Sequence, residues 1–577
     1  MSKAKTKKYI VREKPTDAVR EELKEYPELV QELLGVRNIV TKQAAEDFFT
    51  PDYERDVHDP FELRDMDKAI DRILKAIEDN EYIAIYSDFD CDGIPGGSLL
   101  HDLFKKIGYE RFTNYIPHRD EEGYGFHVSA VDKLAKENVT LIITVDVGIM
   151  GNAAVDHATE IGVDVIITDH HIPGEELPKA LAVVNPQRTD ETYPFKYLCG
   201  TGVAYKLAQA LLMRARETKK EWVEDIPLGW EKWLLDLVAI ATVADMVSLT
   251  GENRALVHFG LTVLRKSRRP GIAALCKKVG AQQAYLTEDE IGFSIGPRIN
   301  AASRMGNPEL GFRLLTTTDV GEATDVAREL ESLNNKRKGS VASIVRELHA
   351  RFEEDSSDAV LVAGNPKWNP ALLGLAANSF VDTYGKTTCL WGREGTGSLK
   401  GSCRGDGYVN VVEMFHSSSD SLEQFGGHKH AGGFAVKNES VHTLGKTFSE
   451  AYLELTKDVT EEPEYIDAEL PLSDLRRMHT TLMKFAPFGI ENPKPIFVCN
   501  RVVVRSLNQF GKEKNHFEMH IAKDESAATQ RTIGFFKTPE SFTCIPKLGE
   551  SVDVLCTLEL SRFAGRVRLE LRVVDIR

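Results

Sequence analysis

Short apolar runs that stop abruptly at acids set the pattern of the first half of the chain. Tyr82 to Tyr86 is β-prone, of strand length and followed by Gly and Pro, which predicts a buried strand. Leu141 to Val145 and Val163 to Thr168 repeat the theme. Around them the period becomes helical. Met66, Ile70, Ile73, Leu74 and Ile77 mark a helix over Asp65 to Ile77, and Leu99, Leu100, Leu103 and Phe104 mark another beyond Gly97. Val128 to Lys136 and Ala153 to Ile161 are two more, and strand alternating with helix predicts parallel βαβ units.

The acids fall where open α/β sheets hold ligands, beyond the carboxyl ends of the strands. Asp88, Asp90 and Asp92 follow the first run, Asp146 the second, and Asp169, His170 and His171 the third. Three carboxylates spaced two apart repel one another unless cations neutralise them, so a divalent metal site is the reading that accounts for them. An EF-hand loop begins with the same letters but requires Glu at its twelfth position, where this chain has Leu99. A solvated acidic turn is the remaining alternative for the first loop alone. Oxygen donors with an imidazole suit Mg²⁺ or Mn²⁺. Adjacent residues of an extended segment point opposite ways, so at most one of His170 and His171 is expected as a direct ligand.

Further along, Gly200-Thr201-Gly202 leads into an apolar helix over Val203 to Met213, and a helical stretch over Trp230 to Val243 runs into IATVADMVSL at 240 to 249. Asp245 therefore lies in apolar surroundings that demand a partner. Ala323 to Glu354 reads as one connecting helix of about 32 residues, roughly 48 Å long. A second lobe opens with a strand over Ala359 to Ala363 and carries GSLKGSCRG and FGGHKHAGG, whose glycines let backbone approach a phosphate. From about residue 463 alternating strands (Ile496 to Val504, Phe517 to Ile521, Val552 to Leu560, Arg566 to Val574) predict a compact β domain. An OB-like barrel there would present one or two of Phe510, Phe517, Phe535, Phe536 and Phe563 to single strands, the rest being core. Residues 1 to 55 read as a polar helical segment, amphipathic over Glu21 to Leu34.

At 577 residues the chain calls for three or four domains. No apolar run approaches the roughly 20 residues of a membrane span. The basic N-terminus lacks the apolar stretch of a signal peptide, and a cytoplasmic location is expected. Eight cysteines, at 91, 199, 276, 389, 403, 499, 544 and 556, form no C-x-x-C pair, which disfavours a zinc cluster or disulfide framework. The net charge of -16 is not that of a typical nucleic-acid binder, so any basic channel must be local. Its candidate pieces are Arg265, Lys266, Arg268 and Arg269, then Lys336, Arg337 and Lys338, then Arg562, Arg566 and Arg568, each of which taken alone reads as a solvated charged face.

SDFDCDG at 87 to 93, TVDVG at 144 to 148, TDHH at 168 to 171 and ATVADMV at 241 to 247 resemble the DHH phosphoesterase superfamily. PHRDEEGYG at 117 to 125, GPRINAASRMGN at 296 to 307, GSCR at 401 to 404, FGGHKHAGGF at 425 to 434 and FAPFGIENPKPIF at 485 to 497 narrow the resemblance to the RecJ family of bacterial single-strand-specific exonucleases. Cys91, Ile94-Pro95, Val147 to Met150, Gly296 and Ser303 depart from the family pattern without removing an expected ligand. The resemblance implies an α/β fold. A parallel-sheet DHH domain (56 to 320) would be joined by a helix (321 to 356) to a DHHA1 substrate-binding domain (357 to 460), with an OB-like domain (461 to 577) after it. It implies a 5′-to-3′ exonuclease acting on single-stranded DNA in repair and recombination. Two Mn²⁺ or Mg²⁺ ions about 3.5 to 4 Å apart would be held by Asp88, Asp90, Asp92, Asp146, His170 and Asp245. Asp169 and His171 complete the expected catalytic set. Arg119, Tyr124, Arg298, Asn300, Arg304, Ser402, Arg404, Gly426, Gly427 and His428 are the expected substrate contacts, with Arg119, Ser402 and Arg404 on the terminal phosphate. A single-strand-binding protein or a helicase is the implied protein partner, and a monomer without membrane association is expected. The alternatives are a catalytically inactive DNA-binding scaffold and a phosphoesterase of short oligonucleotides or cyclic dinucleotides.

Overall fold

The structure is a computed structural model that describes residues 8–119, 122–352, 358–393, 397–459, 463–511, 514–524, 526–563 and 566–577. It divides into two compact units. One comprises Pro51–Gly339 with Pro487–Pro493, the other Met1–Thr50, Ser340–Ala486 and Lys494–Arg577.

The first unit is built on a five-stranded sheet in the order Phe112–Tyr115, Tyr82–Ser87, Val139–Val145, Asp164–Thr168, Ala182–Val184. Every neighbouring pair is parallel. In chain order this is 2-1-3-4-5, so the direction of winding reverses between Tyr82–Ser87 and Val139–Val145. That switch point is where a crevice opens at the strands' carboxyl ends, and both strands end there in aspartates. Both faces of the sheet are covered, which explains why its strands read as nearly continuous apolar runs. Ile83, Ile85, Leu141, Ile143 and Ile166 pack against the helices Met66–Glu78, Gly93–Lys106 and Gly200–Glu217. Ala84, Tyr86, Ile142, Val165 and Ile167 pack against Val128–Lys136 and Asn152–Glu160.

The second unit holds two sheets and a short N-terminal pairing. Leu422–His428, Ala431–Val436, Leu399–Arg404, Thr388–Arg393 and Leu361–Gly364 form one sheet in that order, antiparallel except for its last pair. Farther on, Phe497–Phe510, His516–Ala522, Gln530–Gly534, Arg566–Ile576 and Ser551–Phe563 close into a barrel, because the first of these strands pairs with the last. The order 1-2-3-5-4-1, with its parallel pairing of third and fifth strands, is that of an OB-fold.

The helix expected over Ala323 to Glu354 is observed over Val320–Arg351, with 32 residues; Glu354 lies outside the described residues. The amphipathic stretch Glu21 to Leu34 is broken into helices Asp17–Glu22 and Glu28–Val36, because Pro27 cannot continue a helix and instead precedes the second one. Tyr9–Val11 adds a strand parallel to Glu464–Ile466.

Candidate metal centre and phosphate contacts

The acidic loop after Ser87 is shaped by its own carboxylates. Asp90 Oδ1 accepts the backbone N–H groups of Asp92 and Gly93, at 2.8 and 3.2 Å, which opens the Gly93–Lys106 helix and leaves the other oxygen available. Cys91 N–H donates to Asn300 Oδ1 at 2.9 Å, so Asn300, expected as a substrate contact, holds the loop. Asp92 receives the N–H groups of Gly200 and Thr201 at 2.6 and 2.7 Å, at the N-terminus of the Gly200–Glu217 helix, where backbone donors and the helix dipole favour an anion. These last two contacts escape sequence reasoning, since the motif shows Gly200 and Thr201 only as a glycine-rich helix entry.

Asp146 sits just past its strand in the left-handed region, φ 62°. Asp tolerates this conformation better than most residues. Across from it, a Cβ on Gly200 would lie 2.4 Å from the Asp146 Cβ. On the third strand end Asp169 is saturated: its oxygens accept the N–H groups of Ile149, His170 and His171, and Oδ1 lies 2.8 Å from His171 Nδ1. Asp169 thus holds the turn that carries the two histidines.

The two histidine rings lie side by side, 4.5 Å apart between centroids, and both face the acids. The two side chains do not diverge as they would from an extended segment. The strand ends at Thr168, and the chain turns around Asp169 instead of staying extended. His170 Nε2 is 3.1 Å from Asp146 Oδ1 and 3.6 Å from both Asp92 Oδ2 and Asp245 Oδ2. His171 Nδ1 is 3.8 Å from Asp146 Oδ1.

Donor atoms of Asp146, His170 and His171, of Asp92, His170 and Asp245, and of Asp88, Asp90 and Asp146 each cluster within 4.8 Å, so Asp146 and His170 link the three groups. Burial, and then the neighbouring acids, push the Asp88, Asp146 and Asp245 carboxyls well above the usual carboxylate range. Burial lowers His170 despite the charge of Asp92. Asp88 Oδ1, Asp146 Oδ1 and His170 Nε2 are buried without a hydrogen-bond partner among the described residues. Buried bare acceptors on crowded carboxylates are costly alone and satisfied together by divalent cations. The residues therefore fit Mg²⁺ or Mn²⁺, which take oxygen and imidazole donors.

Around this cluster, the Tyr124 hydroxyl reaches His171 Nδ1 at 3.2 Å and Asp146 O at 3.4 Å. Arg119 lies over the Phe89 ring, 4.8 Å from its centroid; its neighbours Asp120 and Glu121 lie outside the described residues. Arg298 is buried and engaged by Glu331 at 2.6 Å and Ser294 O at 2.8 Å. Arg304 ends the same Gly296–Arg304 helix, half-buried. Arg269 leaves the suggested basic channel altogether: Asp236 and Asp102 pair with it in the interior.

In the second unit, Ser402 and Arg404 share one face of their strand, two residues apart. Register places Gly433 and Ala431, then Gly426 and His428, across from them. Arg404 Nη1 donates to Ser402 Oγ at 3.0 Å and to Cys403 O at 2.8 Å. Among the described residues no carboxylate pairs with it, and burial lowers its pKa. Gly426 faces open space, whereas Gly427, at φ 144°, is required by the strand pair, since a Cβ there would be 2.4 Å from Ala431 O. In the barrel Phe517 is core, Phe510 half-buried, and Phe535 and Phe536 are exposed; the Phe563 side chain lies outside the described residues. Arg476, His479, His520 and Arg568 line a groove of about 1010 Å³ on the same domain.

Fold and site together define a metal-dependent phosphoesterase of the DHH class. Family models agree: the DHH family N-terminal domain matches residues 82–242, the DHHA1 domain 357–454, and the RecJ OB domain 466–575. The single-stranded-DNA-specific exonuclease RecJ of Bacillus subtilis is 34% identical over 95% of this chain and 67% of its own length. RecJ of Salmonella typhimurium is 31% identical over 89% and 90%. RecJ of Thermus thermophilus, solved with Mn²⁺, superposes with a TM-score of 0.81 at 26% identity over 99% of this chain and 79% of that one. Its Mg²⁺ complex gives 0.75 at 25% identity over 99% and 78%. The chain belongs to the RecJ family.

Proposed function

We propose that this chain is a metal-dependent exonuclease that degrades single-stranded DNA from the 5′ end, in DNA repair and recombination. The observation that carries the reading is the set of bare, buried donor atoms on Asp88, Asp146 and His170 at the sheet's switch point, inside a chain whose family members are single-strand-specific exonucleases. Asp88, Asp90, Asp92, Asp146, His170 and Asp245 would hold two ions, with His171 beside them. Mn²⁺ or Mg²⁺ bound there supplies Lewis acidity toward a phosphodiester and offsets charge on its oxygens.

The chain's own groups do the rest. Asp169 holds the turn that carries both histidines through the backbone N–H groups of Ile149, His170 and His171 and meets the His171 ring nitrogen, and Asn300 pins the acidic loop. Arg404, with no carboxylate partner among the described residues and Ser402 at its side, is suited to fork onto a terminal phosphate. Exposed Phe536 offers a π-face for bases, which every base sequence can use, while the Phe535 ring beside it carries Arg572 4.3 Å from its centroid. An inactive scaffold would have lost acids, and all are present; a small-substrate phosphoesterase has no need of the OB domain that the chain carries. In this reading the enzyme works as a cytoplasmic monomer on strands exposed by a helicase or held by a single-strand-binding protein. Among the described residues no helix is long and apolar enough to cross a membrane.

The test uses end-labelled DNA and RNA, single- and double-stranded, with Mn²⁺, Mg²⁺ or chelator. Release of nucleotides from the 5′ end of single-stranded DNA, abolished by chelator, is expected. Release from the 3′ end, preference for duplex, or chelator-resistant activity would overturn the reading.

A further inference from the structure

The metal cluster is bordered by large apolar side chains that the fold leaves in solvent. Met150, four residues past Asp146, is 69% exposed; Ile172, next to His171, is 79% exposed; Tyr124 is 51% exposed. Large apolar groups in solvent are informative when they are contiguous and border a site. The segments that carry Met150 and Ile172 adjoin. Ile149, the neighbour of Met150, donates its N–H to Asp169, and Asp169 accepts the N–H of His171, the neighbour of Ile172. The Met150 Sδ and Cε lie 3.3 Å from where a Gly174 Cβ would be, so the thioether rests on the turn that carries Ile172. On the other side the Tyr124 ring lies 5.6 Å from the His171 ring.

The polar handles of this surface are already used. The Tyr124 hydroxyl points inward to His171 and Asp146, leaving its ring as the outward part. A thioether and a branched alkyl chain add polarizable and apolar contact without a strong donor or acceptor. Such a surface can hold the face of a planar heterocycle and cannot read its hydrogen-bonding edge.

We propose that Met150 and Ile172, with the Tyr124 ring, form a platform for the base of the nucleotide being removed, gripping any base through its face. The proposal rests on the exonuclease reading and names where that substrate's base lies. A base-blind platform gives an exonuclease what it requires, equal purchase on each nucleotide as the strand shortens.

The test compares two 5′-phosphorylated single strands, identical except that one ends in an abasic nucleotide. Full-length wild type, Met150→Ser, Ile172→Ser and the double variant are assayed for first-nucleotide release with Mn²⁺. Because both side chains are exposed, the substitutions leave folding intact, which thermal unfolding verifies. Wild type is expected to favour the ordinary strand in kcat/KM, and the double variant to lose about tenfold on it with little change on the abasic strand. Met150→Leu, which keeps the apolar contact, is expected to preserve the wild-type ratio. An unchanged ratio in the double variant, or no wild-type preference between the strands, would overturn the platform and leave the nuclease reading intact. Failure of wild type to release nucleotides from either strand would overturn both.

Discussion

The Cβ that Gly200 lacks would lie 2.4 Å from the Cβ of Asp146. One residue starts a helix whose N–H groups hold Asp92, and the other is the carboxylate shared by two of the donor groups. Gly200→Ala is therefore expected to displace Asp146, costing about 1–3 kcal/mol in overpacking and most of the affinity for metal. Calorimetric titration with Mn²⁺ checks this; wild-type affinity in the variant would show that the helix entry tolerates a methyl group.

Asp146→Ala and His170→Ala are each expected to abolish hydrolysis, while Asp169→Asn, acting through the histidines it orients, lowers metal affinity about 10–100-fold. Binding of single-stranded DNA should survive in all three. Raising Mn²⁺ should restore turnover in Asp169→Asn and not in the other two, a difference that kinetics against metal concentration resolves.

Metal removal couples to pH with a defined sign. Burial first, then neighbouring acids, raise the folded-state pKa of Asp88, Asp146 and Asp245. A carboxyl that binds its proton more tightly when folded adds stability below its unfolded pKa of about 4, and that stability is lost as pH rises through the folded values. Divalent cations compete with those protons. The gap in Tm between Mn²⁺-loaded and EDTA-treated protein is expected to widen as pH rises from about 5 to about 8. A gap that stays constant or narrows would contradict the assignment of these three acids.

Arg404→Ala is expected to raise KM for 5′-phosphorylated strands and shrink their advantage over 5′-hydroxyl strands by about 10–100-fold, in line with ~1.5–3 kcal/mol for a charged hydrogen bond. Arg404→Lys should recover only part, because an ammonium cannot fork. Side-by-side kinetics on the two substrates decide it, and an unaltered ratio would remove Arg404 from the terminal-phosphate role.

Phe536, 80% exposed beside Phe535, is the barrel's most accessible phenylalanine among the described residues. Phe536→Ala is expected to weaken binding of long single strands by about 1–3 kcal/mol and to leave cleavage of very short ones unchanged. Equal losses on both lengths would make its role structural.

Strands, helices and the acids that end them were legible in the sequence because each is a local fact: a run of apolar residues, a period, and the residue after it. Tyr82–Ser87 and Val128–Lys136 lie where their patterns predict them. So was the family, since ordered motifs survive substitution between them. What each side chain does with its hydrogen bonds was not, because the partners are hundreds of residues away or belong to the backbone. Nothing in the letters says that Asp92 meets the N–H groups of Gly200 and Thr201, or that Asn300 accepts from Cys91. The same holds for where charged and imidazole side chains end up. Arg269 sits in a basic run, yet packing buries it against Asp236 and Asp102; adjacent His170 and His171 face one cluster because Asp169 turns the chain beneath them. The sequence by itself determined which groups could bind metal and phosphate, through residue type and local spacing. Tertiary structure decided which of them remain free to do so, because a buried polar group must be satisfied by whatever the fold brings within reach.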